Sequence, residues 1–326
     1  MKILGTGSAL PEAVFTNDDL SKIVDTNDEW IKERTGISQR HLSTGESVAT
    51  LSADACKKAL EAAGKDAQDV ELIILATCSP ELPIPSESCQ VQALIGAQNA
   101  VAFDLNAACS GFLFALNTAY SYFASGIYKN ALVVGAEVLS KIVDWSDRST
   151  SILFGDGAGA VYVEADANDL NKCDTPDGYY FVQHANGNKG MVLTCGSREL
   201  NNPLYKEEVK DKFIWMDGRE IFQFAVRQVP LCIEEVLGKA SMEKSDVDFY
   251  ILHQANARII DGISRRLKED IAKFPMNVQN VGNMSSAAIP VLLDECLKNG
   301  TLKKGNRIVM SGFGAGLTYG ASIITL

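Results

Sequence analysis

One cysteine of the chain stands where an apolar strand would turn into a helix. Cys109 lies in "NAACSGF" (106–112), after the apolar "AVAFDL" and before a stretch whose apolar residues recur at helical spacing. A thiol at a helix N-terminus faces unpaired N–H groups and the positive end of the helix dipole, which stabilise a thiolate. We therefore expect Cys109 to be a nucleophile with a lowered pKa, although most cysteines are only small buried residues.

A histidine and an asparagine follow similar junctions later in the chain. His253 comes directly after the strand-like "DFYIL", where α/β folds usually place their sites, although a lone histidine is more often structural. His41 and His184 have flanks typical of turns or the surface, so His253 is the histidine best suited to catalysis. Asn283, in "NVGNMSSAAIP", also precedes a helix, where asparagine is commonly an ordinary N-cap.

Two pairs of segments indicate an internal repeat. "ALEAAGKDAQDVELIIL" (59–75) resembles "VLGKASMEKSDVDFYIL" (236–252) at an offset of 177 residues (236 − 59). "CSGFLFALNTAYSYFASG" (109–126) resembles "NMSSAAIPVLLDECLKNG" (283–300) at an offset of 174 residues (283 − 109). The repeat predicts two similar halves that pack about a pseudo-twofold axis. We place their boundary between residues 165 and 166, giving an N-terminal half (1–165) and a C-terminal half (166–326).

The repeat relates the three candidate residues to one another. At these offsets Asn283 is the counterpart of Cys109, and His253 is the counterpart of Ala76. Because equivalent elements of the two halves meet near the axis, we expect Cys109, His253 and Asn283 in one pocket. The N-terminal half would supply the nucleophile, and the C-terminal half would supply the histidine and the asparagine.

The composition is that of a globular α/β protein. Of the 326 residues, 46% are hydrophobic and 22% are charged, and strand-like segments alternate with helix-length ones. The net charge of −11 disfavours sequence-independent binding to nucleic acid. No apolar run approaches the ~18 residues of a membrane helix, and the N-terminal segment lacks the apolar region of a signal peptide. We therefore expect a cytoplasmic protein without a membrane partner.

Metal, disulfide and nucleotide-phosphate sites are not indicated. The eight cysteines form no CxxC pair and only three histidines occur, so we expect no metal ligand set and no disulfide framework. The glycine clusters "FGDGAGA" (154–160) and "SGFGAGLTYG" (311–320) lack the spacing of a phosphate loop. We interpret them as close backbone contacts between the halves, with "GFGAG" able to donate a backbone N–H to an oxyanion.

Six segments, in order over essentially the whole chain, resemble the β-ketoacyl-acyl carrier protein synthase III family of the thiolase-like superfamily. They are "DTNDEWIKERTGI", "NAACSGF", "DRSTSILFGDGAGA", "HQANARII", "NVGNMSSAAIP" and "GFGAGLTYG". The resemblance implies a five-layered αβαβα sandwich of two duplicated halves that works as a homodimer. It implies a coenzyme A thioester as substrate and no other cofactor.

The resemblance also implies a decarboxylative condensation. Cys109 would attack an acyl-coenzyme A primer, acetyl or another short acyl group, and become an acyl-cysteine. His253 and Asn283 would hydrogen-bond the thioester of malonyl-acyl carrier protein and stabilise the enolate formed when carbon dioxide leaves. The backbone N–H groups of Cys109 and Ala315 would hold the oxyanion of the acyl-cysteine. The product would be the 3-oxoacyl-carrier protein that initiates fatty-acid biosynthesis.

Further substrate contacts carry over from the family by position. Coenzyme A would contact Trp30, Arg34, Arg148, Asn256 and Gly218, with the adenine held between the tryptophan and the arginines. Phe154 and Ile84 would lie along the acyl channel, Ile84 by reaching into the pocket of the partner subunit. The carrier protein would dock on Arg258, Arg265 and Arg266. Outside the family context, these side chains would be ordinary core or surface residues.

The sequence departs from the family pattern at a few positions. Ala315 stands where glycine is frequent, but this exchange keeps the backbone donor. Ala257 replaces a usual leucine, and Gln223 replaces a lysine of the carrier-protein surface, which weakens the expected docking. An aliphatic Ile84, where the family has a bulky residue, would alter the preferred primer length or branching.

Other functions remain open at this stage. A secondary-metabolite ketosynthase or acyltransferase of the same family would use the same three residues with a different acceptor. A thiolase proper would need a second cysteine near the C-terminus, which "SGFGAGLTYG" does not provide. A redox protein that uses only Cys109 would need neither His253 nor Asn283. The sequence leaves the primer open as well.

Overall fold

A computed structural model describes residues 1–166, 178–196, 202–205 and 212–326. The strands are β1 (Lys2–Ala9), β2 (Val14–Thr16), β3 (Gln39–His41), β4 (Leu72–Ala76), β5 (Val101–Leu105), β6 (Asn130–Glu137), β7 (Gly157–Glu164), β8 (Tyr180–Ala185), β9 (Leu193–Thr194), β10 (Trp215–Met216), β11 (Phe249–Leu252), β12 (Arg307–Gly314) and β13 (Thr318–Thr325). The helices are α1 (Asn17–Leu20), α2 (Asp28–Thr35), α3 (Val48–Ala63), α4 (Glu87–Ile95), α5 (Gly111–Ala124), α6 (Arg148–Ser151), α7 (Gly218–Lys239), α8 (Ala257–Leu267), α9 (Val278–Val281) and α10 (Ala288–Lys298). None of these helices is long and apolar enough to cross a membrane.

Two mixed sheets have corresponding strand orders. The N-terminal sheet has the order β1-β7-β6-β4-β5, and the C-terminal sheet has the order β8-β13-β12-β11. An equivalent pair of neighbouring strands is parallel in each sheet, β4 with β6 and β11 with β12, and β5 also pairs parallel with β4. The remaining equivalent pairs are antiparallel in both sheets. The sheets therefore repeat one topology, with β5 as an additional edge strand of the N-terminal sheet.

The two sheets and three helical layers form the predicted five-layered sandwich. The strand β4 explains the arrangement, because its buried apolar residues point alternately to opposite faces. Ile74 packs toward α5 and α10, which lie between the sheets, whereas Ile73 and Leu75 pack toward α3 on the outer face. Helices α7 and α8 cover the outer face of the C-terminal sheet. The predicted fold class is thus confirmed, whereas the boundary at residues 165 and 166 stays a prediction.

A single offset relates three pairs of equivalent elements in the two halves. The offset is 177 residues for β4 and β11 (249 − 72), for β6 and β12 (307 − 130) and for α5 and α10 (288 − 111). The sequence-based offset of 174 for the helical pair is therefore wrong: Cys109 corresponds to Ser286, and Asn283 corresponds to Asn106. A slip of three residues is almost one helical turn, so the apolar pattern of the helices does not detect it. The pairing of His253 with Ala76 stands (253 − 76 = 177).

The two central helices begin side by side near the ends of the strands. A short 3-10 turn precedes each of them, Ala108–Ser110 before α5 and Ser285–Ala287 before α10. A Cβ atom placed on Gly111 would lie 2.9 Å from Cβ of Ala76 and 3.5 Å from Cβ of Ser286. The end of β4 and both turns therefore meet at one place, where the candidate residues are expected.

Candidate active site

The structure brings the three candidate residues together around one cavity. Cys109, His253 and Asn283 all line a space of about 560 Å³. A second cavity of about 180 Å³ is also lined by Cys109, together with Ala315. Phe154 lines both cavities. The thiol therefore stands between a large and a small cavity, and the roles of these residues remain predictions.

Cys109 occupies the predicted turn, but the ionisation of its thiol differs from the expectation. Burial raises the pKa of Cys109 to about 12, and the charge of Glu137 acts in the same direction. The Ser285 hydroxyl and a backbone N–H lower the pKa, but less than burial raises it. The prediction of a lowered pKa is therefore wrong, because the loss of hydration disfavours the thiolate more than the helix terminus favours it. Cys109 is a neutral thiol at pH 7.

His253 directly follows β11 and is almost fully buried. Its backbone N–H donates to the Ser311 carbonyl at 2.9 Å, and its ring packs edge-on against Phe313 at a centroid distance of 5.4 Å. Within the described part of the chain, its Nδ1 atom has no hydrogen-bond partner. Burial lowers the pKa of His253 to about 3. The imidazole is therefore neutral at pH 7, with one nitrogen able to donate and the other able to accept.

Asn283 has its backbone and its side-chain oxygen fixed. Its N–H donates to the Leu153 carbonyl at 2.8 Å, and its carbonyl accepts from the Gly155 N–H at 3.0 Å. Its Oδ1 atom accepts from the Ser285 N–H at 2.9 Å. Because this bond occupies the oxygen, the side-chain NH₂ group is the part that can donate toward the cavity. The sequence offered a simple N-cap or a cavity residue; the structure places Asn283 at the cavity, whereas the N-cap of the following 3-10 turn is Met284.

The glycine-rich C-terminal segment lies against the cysteine turn. A Cβ atom placed on Gly314 would be only 2.6 Å from the Cys109 nitrogen and 3.1 Å from the Ser110 nitrogen. Only glycine permits this approach of the two backbones. Ala315 follows directly and shares the wall of the small cavity with Cys109. Its backbone donor role stays a prediction.

A tryptophan and two arginines form a cluster on the rim. The guanidinium carbon of Arg148 lies 4.7 Å from the centroid of the Trp30 ring, and that of Arg34 lies 5.6 Å from it. Arg148 also donates to the Asp25 carbonyl at 3.1 Å. Arg34 reaches the large cavity, so the cluster adjoins its mouth. A flat ring beside two cations is suited to an anionic ligand with an aromatic base.

Of the other residues predicted to contact a substrate or the carrier protein, some line the large cavity and others lie on the surface. Gly218, Asn256, Arg258 and Gln223 line the large cavity. Asn256 is also the N-cap of α8, because its side chain accepts from the Ile259 N–H at 3.1 Å. Ile84, by contrast, is 81% exposed, and Arg265 is exposed and paired with Asp261 at 3.0 Å. Arg266 is exposed on the same helix.

Sequence analysis missed several residues around the thiol. Cys78 and Cys195 line the small cavity with Cys109, and Arg219 lines the large one. Glu137 lies buried behind Cys78. Cys78 and Glu137 stand at or just beyond the ends of buried strands, the same signal that singled out His253. Applied to every strand, that signal would have found both residues.

Known proteins are similar to this one over its whole length. Residues 103–175 match the family described as 3-oxoacyl-[acyl-carrier-protein (ACP)] synthase III, and residues 237–326 match the description of its C-terminal part. The chain is 46% identical to a β-ketoacyl-[acyl-carrier-protein] synthase III of Streptococcus suis, over 100% of this chain and 98% of that protein.

Solved structures of similar proteins share the fold. A 3-oxoacyl-[acyl-carrier-protein] synthase III from Aquifex aeolicus has a TM-score of 0.91 and 42% identity, covering 100% of this chain and 99% of that one. A priming β-ketosynthase of the R1128 polyketide pathway has a TM-score of 0.90 and 34% identity, covering 100% of this chain and 96% of that one. The fold is therefore shared with a 3-oxoacyl-[acyl-carrier-protein] synthase III and with a ketosynthase of a polyketide pathway.

Proposed function

The chain belongs to the 3-oxoacyl-[acyl-carrier-protein] synthase III family, and on this premise we propose that Cys109 carries the acyl group during condensation. The enzyme is an acyltransferase that initiates fatty-acid synthesis by joining an acyl primer to a malonyl thioester. One observation carries the assignment of residues: Cys109, His253 and Asn283, distant in sequence, line one cavity.

In the first half-reaction the Cys109 sulfur attacks the carbonyl carbon of an acyl-coenzyme A. The thiol is neutral at pH 7, so it must lose its proton while the sulfur–carbon bond forms. The backbone N–H groups of Cys109 and Ala315 stabilise the negative oxygen of the tetrahedral intermediate. Coenzyme A leaves as the free thiol, and the acyl group remains on Cys109 as a thioester.

The acyl chain of the primer occupies the small cavity in this proposal. Its walls include apolar side chains such as Leu139, Ile142 and Ile214. The coenzyme A arm lies in the large cavity, which leads to the cluster of Trp30, Arg34 and Arg148. This arrangement leaves the large cavity vacant once coenzyme A has left, so that a second thioester can enter.

In the second half-reaction His253 and Asn283 act as neutral hydrogen-bond donors. The imidazole N–H and the side-chain NH₂ of Asn283 bind the carbonyl oxygen of the malonyl thioester. When carbon dioxide leaves, these donors stabilise the enolate, whose carbon then attacks the acyl-cysteine. Cys109 is released as a thiolate and takes up a proton from water. A histidine that stays neutral at pH 7 suits a donor to an oxyanion without transferring its proton.

The acceptor is malonyl-acyl carrier protein, and its docking surface is the mouth of the large cavity. Arg258 lies on this mouth, and Arg265 and Arg266 lie further along α8. Arg219 also lines the large cavity and adds a cation at its mouth. Cations are suited to an acidic partner through steering of its approach. Gln223 supplies no charge there, so the arginines have to provide the attraction.

The active form is a cytoplasmic homodimer that joins at the β5 edge. β5 lies at the end of the N-terminal sheet, and Val101 on it is 50% exposed. Ile84, Leu82 and Leu94 are also large apolar residues at the surface. An unpaired strand edge with apolar side chains around it favours pairing with a second copy. Ile84 would then reach the small cavity of the partner.

Intact-mass measurement after incubation with acetyl-coenzyme A tests the proposal. The wild type should gain one acetyl group on Cys109, and the absence of any adduct would refute the acyl-cysteine. Condensation is then measured with malonyl-acyl carrier protein and with malonyl-coenzyme A. A clear preference for malonyl-coenzyme A would favour the second candidate, a ketosynthase with another acceptor, to which the 34% identity with the R1128 enzyme points.

A further inference from the structure

The carboxyl group of Glu137 is buried beneath the site without a cationic partner. Glu137 ends β6 and has no exposed surface. Among the described residues no lysine, arginine or histidine pairs with it. A buried acidic side chain without a counter-ion is costly unless hydrogen bonds replace its hydration. Such a group is retained for a specific structural or functional reason, and its hydrogen bonds indicate which one.

Five donors surround the two oxygens of Glu137. On the side of the N-terminal half they are the Thr77 hydroxyl at 3.1 Å, the Cys78 N–H at 3.1 Å and the Ser79 hydroxyl at 2.6 Å. The Cys78 thiol also donates, with its sulfur 3.4 Å from Oε1. On the side of the C-terminal half the Ser286 hydroxyl lies 2.9 Å from Oε1 and 2.9 Å from the Ala76 carbonyl oxygen, so its single proton is shared between these two acceptors. One side chain thus ties the segment after β4 to the turn before α10.

The turn that Glu137 holds is the turn that carries Asn283. The Ser285 N–H fixes the side-chain oxygen of Asn283, and Ser286 is the next residue in the chain. The same turn is pressed against β6, because a Cβ atom on Gly135 would lie 2.2 Å from the Ser286 carbonyl oxygen. A shift of Ser286 would therefore change the direction in which the NH₂ group of Asn283 points.

Cys109 is held by different contacts. Its nitrogen rests against Gly314, and the preceding Ala108 N–H donates to Oδ1 of Asn106 at 3.1 Å. Neither contact involves Glu137. A change at Glu137 should therefore disturb the Asn283 turn more than the cysteine turn.

We propose that Glu137 is a positioning residue for the condensation step, which holds the Asn283 turn of one half against the Cys78 segment of the other. The inference rests on the proposed roles of Cys109 and Asn283. Glu137 does not touch the substrate, and it acts through Ser286 and the backbone of the turn. Its function is to set the donor geometry for the enolate, where a displacement of about 1 Å costs about 100-fold in rate.

The first test compares the two half-reactions in Glu137→Gln. The amide has nearly the size of the carboxyl group, but its NH₂ faces groups that are themselves donors. Acylation of Cys109, followed by intact mass, should be no more than about threefold slower than in the wild type, because loss of the Glu137 charge removes one contribution that raises the pKa of the Cys109 thiol. The kcat of condensation should fall about 30-fold, with little change in KM for the malonyl thioester. An equal loss in both half-reactions would overturn the proposal.

Asp294→Asn is the matched control. Asp294 is equally buried and also joins two regions of the chain, since it accepts from Thr6 at 2.8 Å and from Ser8 at 2.5 Å. It lies away from both cavities. The Asp294→Asn variant should have a lower melting temperature than the wild type, while its kcat of condensation stays within about threefold of the wild-type value. If Asp294→Asn showed the same selective loss as Glu137→Gln, the effect would be one of general stability.

A double-mutant cycle with Ser286 tests the connection itself. Ser286→Ala removes one hydroxyl and should lower the kcat of condensation about fivefold. If Glu137 acts through Ser286, the double variant should resemble Glu137→Gln, with a loss of about 30-fold rather than the product of the two. A product of both losses would refute the connection. If circular dichroism shows that Glu137→Gln does not fold, the test rests on Ser286→Ala. A kcat of condensation equal to that of the wild type in Ser286→Ala would then refute the proposal. A wild type without an acyl adduct would refute the proposed function instead.

Discussion

The cysteine turn (106–110) and its repeat-related turn (283–287) have the same backbone and different chemistry. Ala108 and Ser285 have nearly equal positive φ angles, 46° and 47°. In each turn an asparagine side chain accepts from the N–H two residues later. In the first turn the backbone nitrogen of Cys109 lies against Gly314, whereas the second turn presents the Ser286 hydroxyl to Glu137. Gly314 and Glu137 are themselves equivalent positions (314 − 137 = 177).

The duplicated fold therefore separates two tasks. One copy of the turn leaves room for a reacting sulfur at its cavity side. In the other copy, Ser286 stands at the position of the cysteine and makes a structural hydrogen bond. The asparagine of that copy, Asn283, lines the large cavity. Asn106, the equivalent asparagine, lines the small cavity. Symmetry of the backbone thus supports an asymmetric site, and the following changes test each difference between the two copies.

The largest effect is expected from the cysteine itself. Cys109→Ser replaces the nucleophile by a much weaker one, so no acyl adduct should appear and condensation should fall by at least about 1,000-fold. Intact-mass measurement with acetyl-coenzyme A checks the adduct. Cys78→Ser is the control for a second thiol in the same small cavity, and it should still become acylated. An adduct that persisted in Cys109→Ser would place the acyl group elsewhere.

The two asparagines should differ in their effect on condensation. Asn283→Ala removes a donor to the enolate and should lower the kcat of condensation about 100-fold to 1,000-fold, while Cys109 is still acylated. Asn106→Ala loses the same kind of turn hydrogen bond, but its loss in condensation should stay below about tenfold. Steady-state condensation and acylation by intact mass measure both variants. If both variants lost the same factor in kcat, the turn hydrogen bond of each asparagine, and not the donor NH₂ group of Asn283, would be responsible for the loss.

Two equivalent glycines should differ in stability. A Cβ atom on Gly135 would lie 2.2 Å from the Ser286 carbonyl oxygen, whereas a Cβ atom on Gly312 would have its nearest neighbour at 3.4 Å. Gly135→Ala should therefore reduce the free energy of unfolding by about 1–3 kcal/mol, and Gly312→Ala should change it little. Urea denaturation monitored by circular dichroism measures both. A well-tolerated Gly135→Ala would show that the Ser286 turn can move.

The smallest expected effect is a pH dependence of stability at the equivalent strand ends Ala76 and His253. Only His253 has a side chain that can gain or lose a proton. The folded pKa of His253 is about 3 against 6.5 as the ordinary value, so the unfolded chain binds the proton more readily. The resulting stability is complete above pH 6.5 and is lost as the pH falls toward 3.

Between pH 7.5 and pH 5.5, the wild type should lose about 1.4 kcal/mol more of its unfolding free energy than His253→Gln. Urea denaturation at the two pH values measures this difference. Equal losses in both proteins would contradict a neutral buried imidazole.

The sequence predicted the position of the site better than its electrostatics. Strand ends and helix starts are local patterns, so Cys109, His253 and Asn283 could be found before the structure was known. The pKa of Cys109 could not be predicted from the sequence, because the desolvation of its thiol depends on packing by residues that are distant in sequence. The exact register of the repeat was also hidden, since a slip of three residues preserves the helical pattern. Glu137 ends the apolar run "ALVVGAE", but its five donors come together only in the folded chain.

The position of Cys109 between two cavities has a kinetic consequence. In the proposed mechanism both thioesters approach the same sulfur through the large cavity, so coenzyme A has to depart before the malonyl group arrives. The reaction order should then be ping-pong, with parallel lines in double-reciprocal plots of the initial velocity. Free coenzyme A should slow the reaction by competing with the second substrate for the acylated enzyme. The placement of one sulfur thus determines the order in which two substrates are consumed.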